Sequence, residues 1–120
     1  MITRVMLGLL WVAVPTYAEG ASGPPPGMSA TLARVGEAAQ LARLHPDQAW
    51  THAQSADRQA HRLARQLRND PELAPEATSL ARATRELSEA SRRQEPADVR
   101  ARAIDVQASV RGFATTLESP

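Results

Sequence analysis

One repeated spacing limits this chain to a helical fold. From residue 28 onward, apolar side chains recur in steps of three and four, which places them along one side of an α-helix. No segment alternates apolar and polar residues with a period of two, so strands are not expected. The pattern occurs four times, at Met28, Leu32, Val35, Ala39 and Ala42; at Ala49, Ala53, Ala56, Ala60, Leu63 and Leu67; at Leu73, Ala77, Leu80, Thr84 and Leu87; and at Val99, Ala103, Val106, Val110, Phe113 and Leu117.

Prolines separate these four patterns. Pro46, Pro75 and Pro96 each lie where a first helical turn would begin, and proline is tolerated there because the missing N–H has no intrahelical partner. Leu44 is also placed to pack on Ala49 as a hydrophobic staple at the start of the second helix. The sequence predicts helices over residues 29–44, 46–68, 75–93 and 96–117.

The connections between these helices are short, so neighbouring helices should run antiparallel. The predicted fold class is all-α: an antiparallel up-down-up-down four-helix bundle with coiled-coil-like seams, spanning residues 28–120 after an N-terminal signal peptide. We call the line of apolar residues along each helix its seam. The seam of the second helix has alanine at four of its six positions, which permits close helix packing. Each buried methyl group contributes little at about 25 cal/mol per Å², so we expect modest stability.

The first residues have the pattern of an export signal. Arg4 precedes an apolar stretch of ten residues, 5–14, and Pro15 and Ala18 follow with the small-residue pattern of a cleavage site. A membrane-spanning helix needs roughly 20 apolar residues. We therefore predict a cleaved signal peptide at 1–18, a flexible Gly/Pro-rich tether at 19–27, a periplasmic or secreted protein, and no stable membrane span after cleavage.

Composition excludes several classes of function. All 14 basic residues are arginine, and removing Arg4 with the signal leaves 13 against 13 acidic residues, a formal charge of zero. A neutral exported domain is not expected to bind nucleic acid. The chain has no cysteine, which removes disulfides and thiolate chemistry, and no other catalytic signature is present. We expect neither enzymatic activity nor a bound cofactor.

The predicted architecture is similar, in helix count, helix length and export, to the periplasmic four-helix bundles that hold haem. That resemblance would imply a methionine ligand near the start of the first helix, where Met28 lies, and a histidine on the last helix. Residues 96–117 contain no histidine, so we expect no haem here.

The three histidines cluster on or beside the second helix, which suggests a metal site. At about 100° per residue His52 and His61 face opposite sides of the helix, whereas Asp57 and His61 are a correctly spaced i, i+4 pair. The candidate metal ligands are His52, Asp57 and His61. A periplasmic metal-binding or metal-sensing bundle is the alternative function.

Two groups of residues on this part of the chain are candidates for binding a partner. Leu41, Leu44 and Trp50 cannot all belong to a narrow seam, so they either cap the end of the bundle or mark a partner site. Ile104 is isolated on the fourth helix and is expected to face the core. The second group is an arginine row on the second helix, Arg58, Arg62, Arg65 and Arg68.

The arginine row has two interpretations. It is a solvated face paired in part with Glu86 and Glu89 of the third helix, or it binds an acidic partner or an anionic lipid. Together the patterns predict a small exported helical-bundle adaptor or scaffold of the bacterial cell envelope. It would bind another envelope protein or itself.

Overall fold

The computed structural model describes residues 27–118, and nearly all of them are helical. Four α-helices follow one another along the chain: α1 (Met28–Leu44), α2 (Trp50–Gln66), α3 (Ala74–Arg93) and α4 (Pro96–Glu118). No strand occurs in residues 27–118, so the all-α prediction is confirmed. The predicted signal peptide at 1–18, all of the tether except Gly27, and residues 119–120 lie outside the described residues.

The four helices enclose one core. Each helix packs against the next along the chain, and α1 also packs against α4. The seams predicted from the sequence form this core, since every seam residue is buried except Val110 and Leu117, which are partly buried and pack against it. Alanine supplies 12 of the 23 buried hydrophobic residues, so the core is built mostly from small side chains. None of the described helices is long and apolar enough to cross a bilayer.

The start of α2 differs from the prediction. A helix was expected from residue 46, but residues Pro46–Gln48 form a separate 3-10 turn and α2 begins at Trp50. The backbone N–H of Gln48 donates to the carbonyl of His45 at 3.0 Å, which closes the short turn before the α-helix starts. Leu44, the residue expected to form a hydrophobic staple at this turn, is 57% exposed.

Asp70 organises the connection between α2 and α3. Its Oδ1 accepts hydrogen bonds from the backbone N–H groups of Glu72 at 2.9 Å and Leu73 at 3.0 Å. Its carbonyl accepts a further bond, at 2.9 Å, from the N–H of Ala74, the first residue of α3. An aspartate that bonds its own backbone in this way favours a turn, and here it determines where α3 starts.

Helix α3 buries a wider face than its seam predicts. Ala81, Ala83, Ser88, Ala90 and Ser91 are buried in addition to the seam residues. The physical reason is position, because α3 packs against α2 on one flank and against α4 on the other. The spacing in the sequence identifies only the residues between the α2 contact and the α4 contact, and it does not identify the residues buried on either flank.

We expect Val106→Asp to lower the free energy of unfolding by ~3 kcal/mol or more, because it places an unpaired charge at a fully buried seam position. Thermal unfolding followed by circular dichroism measures the change. The control is Arg62→Asp on the exposed face of α2, which should leave the unfolding midpoint nearly unchanged. Equal loss of stability in the two variants would contradict the helix orientation described here.

Candidate binding surfaces

Three large apolar side chains are exposed among residues 27–118. Leu44 is 57% exposed, Trp50 44% and Ile104 48%, while Leu41 is half-buried. The expectation that Ile104 faces the core is therefore wrong. Its neighbours Ala103 and Val106 both lie in the core, and a residue about 100° away from Ala103 on the helix falls outside the buried side.

A hydrogen bond between two glutamine side chains connects α1 and α4 near this exposed group. Gln107 Nε2 donates to Gln40 Oε1 at 2.7 Å. Leu44 lies one helical turn after Gln40 on α1, and Ile104 lies one turn before Gln107 on α4. The hydrogen bond therefore indicates that Leu44 and Ile104 are exposed at similar heights along the bundle axis.

Trp50 borders a cavity of about 290 Å³ at the start of α2. Pro46 and Pro96 line it together with Ser91, at the end of α3. Ser91 is 6% exposed, and its hydroxyl has no hydrogen-bond partner among residues 27–118. Trp50 thus forms one wall of this recess, with 44% of its surface exposed.

A side-chain network connects α2 to α3 at the predicted Asp57–His61 pair. Asp57 Oδ1 lies 3.1 Å from His61 Nδ1 and, also at 3.1 Å, from the hydroxyl of the fully buried Thr84, whose one proton is shared between this carboxylate and the carbonyl of Ala81 at 3.0 Å. His61 Nδ1 also lies 2.9 Å from the carbonyl oxygen of Asp57, and His61 Nε2 lies 2.8 Å from an Nη of Arg85.

The contacts of His61 indicate the tautomer of its neutral ring. Arg85 can only donate, so His61 Nε2 accepts from it and carries no proton in this arrangement. The proton of the neutral ring is therefore on Nδ1, where it donates to Asp57. This tautomer follows from the hydrogen-bond pattern. The Asp57–His61 pair thus orients the guanidinium of Arg85.

The structure brings together two of the three candidate metal ligands. Asp57 and His61 are in contact, and His52 does not complete a group of three with them. In the described part of the chain, no three His, Asp or Glu side chains are arranged so that they could hold a metal ion.

The arginine row of α2 borders a groove between α2 and α3. Arg58, Arg62, Arg65 and Arg68 are all exposed, and none of them has an ion pair or a side-chain hydrogen bond with any residue from 27 to 118. The predicted pairing of this row with Glu86 and Glu89 is wrong. Glu86 lies 3.5 Å from Arg102 of α4, and Glu89 has no ion pair among the described residues.

The acidic residues around α4 already have arginine partners. Arg102 contacts Asp98 at 3.4 Å and Asp105 at 3.3 Å. Arg93 contacts Asp98 at 2.8 Å and Glu95 at 3.3 Å, and its hydrogen bonds to these carboxylates raise the pKa of Arg93. These pairs are exposed, and each contributes little to stability. None of these pairs involves an arginine of the α2 row, which has no ion pair of its own among residues 27–118.

Two arginines of α3 complete the basic groove, and sequence reasoning did not include them. Arg82 and Arg85 line it opposite the α2 row. Arg82 and Arg85 are three residues apart, so the sequence alone indicates that both lie on one side of α3. Which helix they face depends on the packing of α2 against α3, and the sequence pattern does not specify it.

Comparison with known proteins assigns no family to this chain. No protein-family model matches it, and searches of curated proteins and of solved structures find no significant match.

We expect a double-mutant cycle on Thr84→Val and Asp57→Ala to give a coupling free energy of about 1 kcal/mol, because the Thr84 hydroxyl donates to the carboxylate across the α2–α3 contact. Chemical denaturation of the single and double variants measures it. The control pairs Thr84→Val with Asp47→Ala, since Asp47 has no side-chain hydrogen bond within residues 27–118. Additive effects in the Asp57 cycle would show that the hydrogen bond does not stabilise the fold.

Proposed function

We propose that this chain is a small exported helical-bundle interaction protein of the bacterial cell envelope, without catalytic activity. It binds another envelope protein or a second copy of itself. The observation that carries the proposal is the exposure of Leu44, Trp50 and Ile104 in a protein whose core consists largely of alanine. Few large apolar residues are present in residues 27–118, yet these three are about half exposed to solvent.

The up-down-up-down arrangement is part of this proposal. In the contact between α1 and α4, Gln40 pairs with Gln107 and Gly36 lies near Val110. Lower residue numbers on α1 therefore meet higher residue numbers on α4. The α3–α4 contacts follow the same rule: Glu86 meets Arg102, and Glu76 accepts a hydrogen bond from Thr116 at 3.2 Å. Both patterns are those of antiparallel neighbours.

In this arrangement the exposed apolar residues lie at one end of the bundle. Leu44 is the last residue of α1, Trp50 is the first residue of α2, and Ile104 lies about two turns after the start of α4 at Pro96. Grouped apolar side chains at an exposed end are typical of an interaction surface. Tryptophan is among the residues that most often contribute a large share of binding energy.

Export rests on the N-terminal pattern alone. The expected product of cleavage after Ala18 begins at Glu19. The intact mass of the chain recovered from the cell envelope tests this part of the proposal, and a full-length mass would contradict it.

The alternative, a metal-binding bundle, has a narrower basis. Asp57 and His61 provide one ligand pair, whereas a closed site needs about four donors. Calorimetric titration of the exported domain with Cu²⁺, Ni²⁺ and Zn²⁺ tests it. Micromolar binding that is lost on replacing His52 and His61 would favour this alternative over the interaction protein.

We expect Trp50→Ala to weaken self-association or capture of an envelope partner by more than ~2 kcal/mol while lowering the unfolding midpoint only slightly, because nearly half of the ring is exposed. Sedimentation over a range of concentrations, pull-down from an envelope extract and thermal unfolding provide the three measurements.

The matched control is Phe113→Ala, which removes the largest fully buried side chain. This variant should lose ~3–5 kcal/mol of folding free energy. The proposal would be contradicted if Trp50→Ala unfolds the protein as Phe113→Ala does, or if association and capture are unchanged.

A further inference from the structure

We propose that the groove between α2 and α3 is a binding site for an acidic segment of a partner protein, whose carboxylates contact the two arginine rows. Six of the chain's 14 arginines border this basic groove: Arg58, Arg62 and Arg65 from α2, Arg68 from the turn that follows α2, and Arg82 and Arg85 from α3. The inference rests on the proposal that the protein is an interaction module, and it specifies the chemistry of one partner.

The groove consists of three recesses that follow one another along the two helices and share lining residues. A recess of about 290 Å³ beside Arg58 and Arg62 shares His61 and Arg85 with a second of about 350 Å³. The second shares Arg82 with a third, of about 720 Å³, that reaches Arg68. The helical part of the α2 row, from Arg58 to Arg65, extends about 10 Å along α2, and Arg68 follows in the turn, so the row can contact several carboxylates of one ligand.

The acidic residues that line this groove are already engaged. Asp57 accepts hydrogen bonds from Thr84 and His61, and Asp70 accepts from two backbone N–H groups of the α2–α3 turn. Neither carboxylate is paired with an arginine of the groove. The guanidinium groups of the α2 row therefore keep their full capacity for bidentate contact with carboxylates from outside.

One arginine of the groove is held in place before a ligand arrives. The neutral ring of His61 accepts from Arg85 at 2.8 Å, and the ring is fixed by Asp57. A guanidinium held by only one of its donors retains the others for a carboxylate. Pre-orientation of this kind reduces the entropy that binding would otherwise cost.

The shape of the groove favours a polypeptide over a membrane. Its floor between the arginine rows includes Ala64 and Ala81, whose short side chains leave room for a segment to lie between the helices. A bilayer surface is broad and is usually entered by large apolar side chains beside the basic ones. The exposed Leu44, Trp50 and Ile104 do not line the basic groove.

The main acidic cluster of a second copy is already occupied. Asp98, Asp105 and Glu86 pair with arginines of their own α3–α4 face. The ligand chemistry that the groove fits is that of an acidic segment of a different protein, whose carboxylates have no such partners.

The test is fluorescence anisotropy with a rhodamine-labelled peptide of about 14 residues that carries glutamate in steps of three and four among alanines, which matches the spacing of the α2 row. The expected result is salt-sensitive binding that the double variant Arg62→Ala/Arg82→Ala weakens about tenfold or more. A peptide with glutamine in place of glutamate should bind far more weakly.

The control is the double variant Arg100→Ala/Arg111→Ala on α4, which removes the same charge from exposed arginines that have no ion pair within residues 27–118. It should change the affinity less than about twofold, because only long-range attraction is lost. Circular dichroism verifies that both double variants stay folded. Equal weakening by the two, equal binding of the glutamine peptide, or binding only to phosphatidylglycerol vesicles would overturn the inference.

The two proposals fail separately. If the groove variants bind the acidic peptide as the unmodified protein does, while Trp50→Ala still abolishes partner capture, the basic groove is not the site and the interaction function stands. If Trp50→Ala has no effect on capture but the groove variants lose the peptide, the apolar end is not the site and the groove inference stands.

Discussion

The packing of α2 against α3 is the constraint on which the proposed binding groove depends. Ala53, Ala56 and Ala60 are fully buried on α2, and α3 buries Ala77 and Ala81. Where the two helices pack, the Thr84 hydroxyl of α3 lies 3.1 Å from the Asp57 carboxylate of α2. The same packing places Arg82 and Arg85 of α3 beside the groove that the α2 row borders, so it produces both the side-chain network and the groove.

An alanine core also limits how the protein can be stabilised. Each alanine removes less apolar area from water than leucine would, and few large residues are present to compensate. Phe113, Leu63, Leu80 and Leu87 are the largest fully buried side chains. In such a protein, leaving Leu44, Trp50 and Ile104 exposed forgoes a large share of the available hydrophobic stabilisation. For this reason we favour the interpretation that a partner covers them.

The sequence predicted the four helices and their buried lines well, because spacing in steps of three and four follows directly from helical geometry. It could not predict how far burial extends around a helix: Ser88 and Ser91 are buried because α3 has a neighbour on each flank. It also misplaced Ile104, since an apolar residue off the seam carries no information about whether its side faces a neighbour or water.

Pairing of long charged side chains was the weakest part of the sequence analysis. Glu86 was expected beside the α2 row, yet it lies on the α4 side of α3 and contacts Arg102. Successive residues of a helix point about 100° apart, so an acidic residue on α3 can face α4 when the sequence alone suggested that it faced α2. The Asp57–His61 pair was predicted from its spacing, whereas its contacts with Thr84 and Arg85 arise only when α2 and α3 pack.

The most direct test of this account is a residue-by-residue map of where an acidic ligand binds, obtained from amide chemical shifts of the ¹⁵N-labelled domain during titration with a glutamate-rich peptide. The account predicts that the largest changes cluster along the α2–α3 groove, at Arg62, Ala64, Arg65, Ala81 and Arg82, and that α1 changes little. Changes centred on α1 and α4, or spread evenly over all exposed arginines, would contradict it.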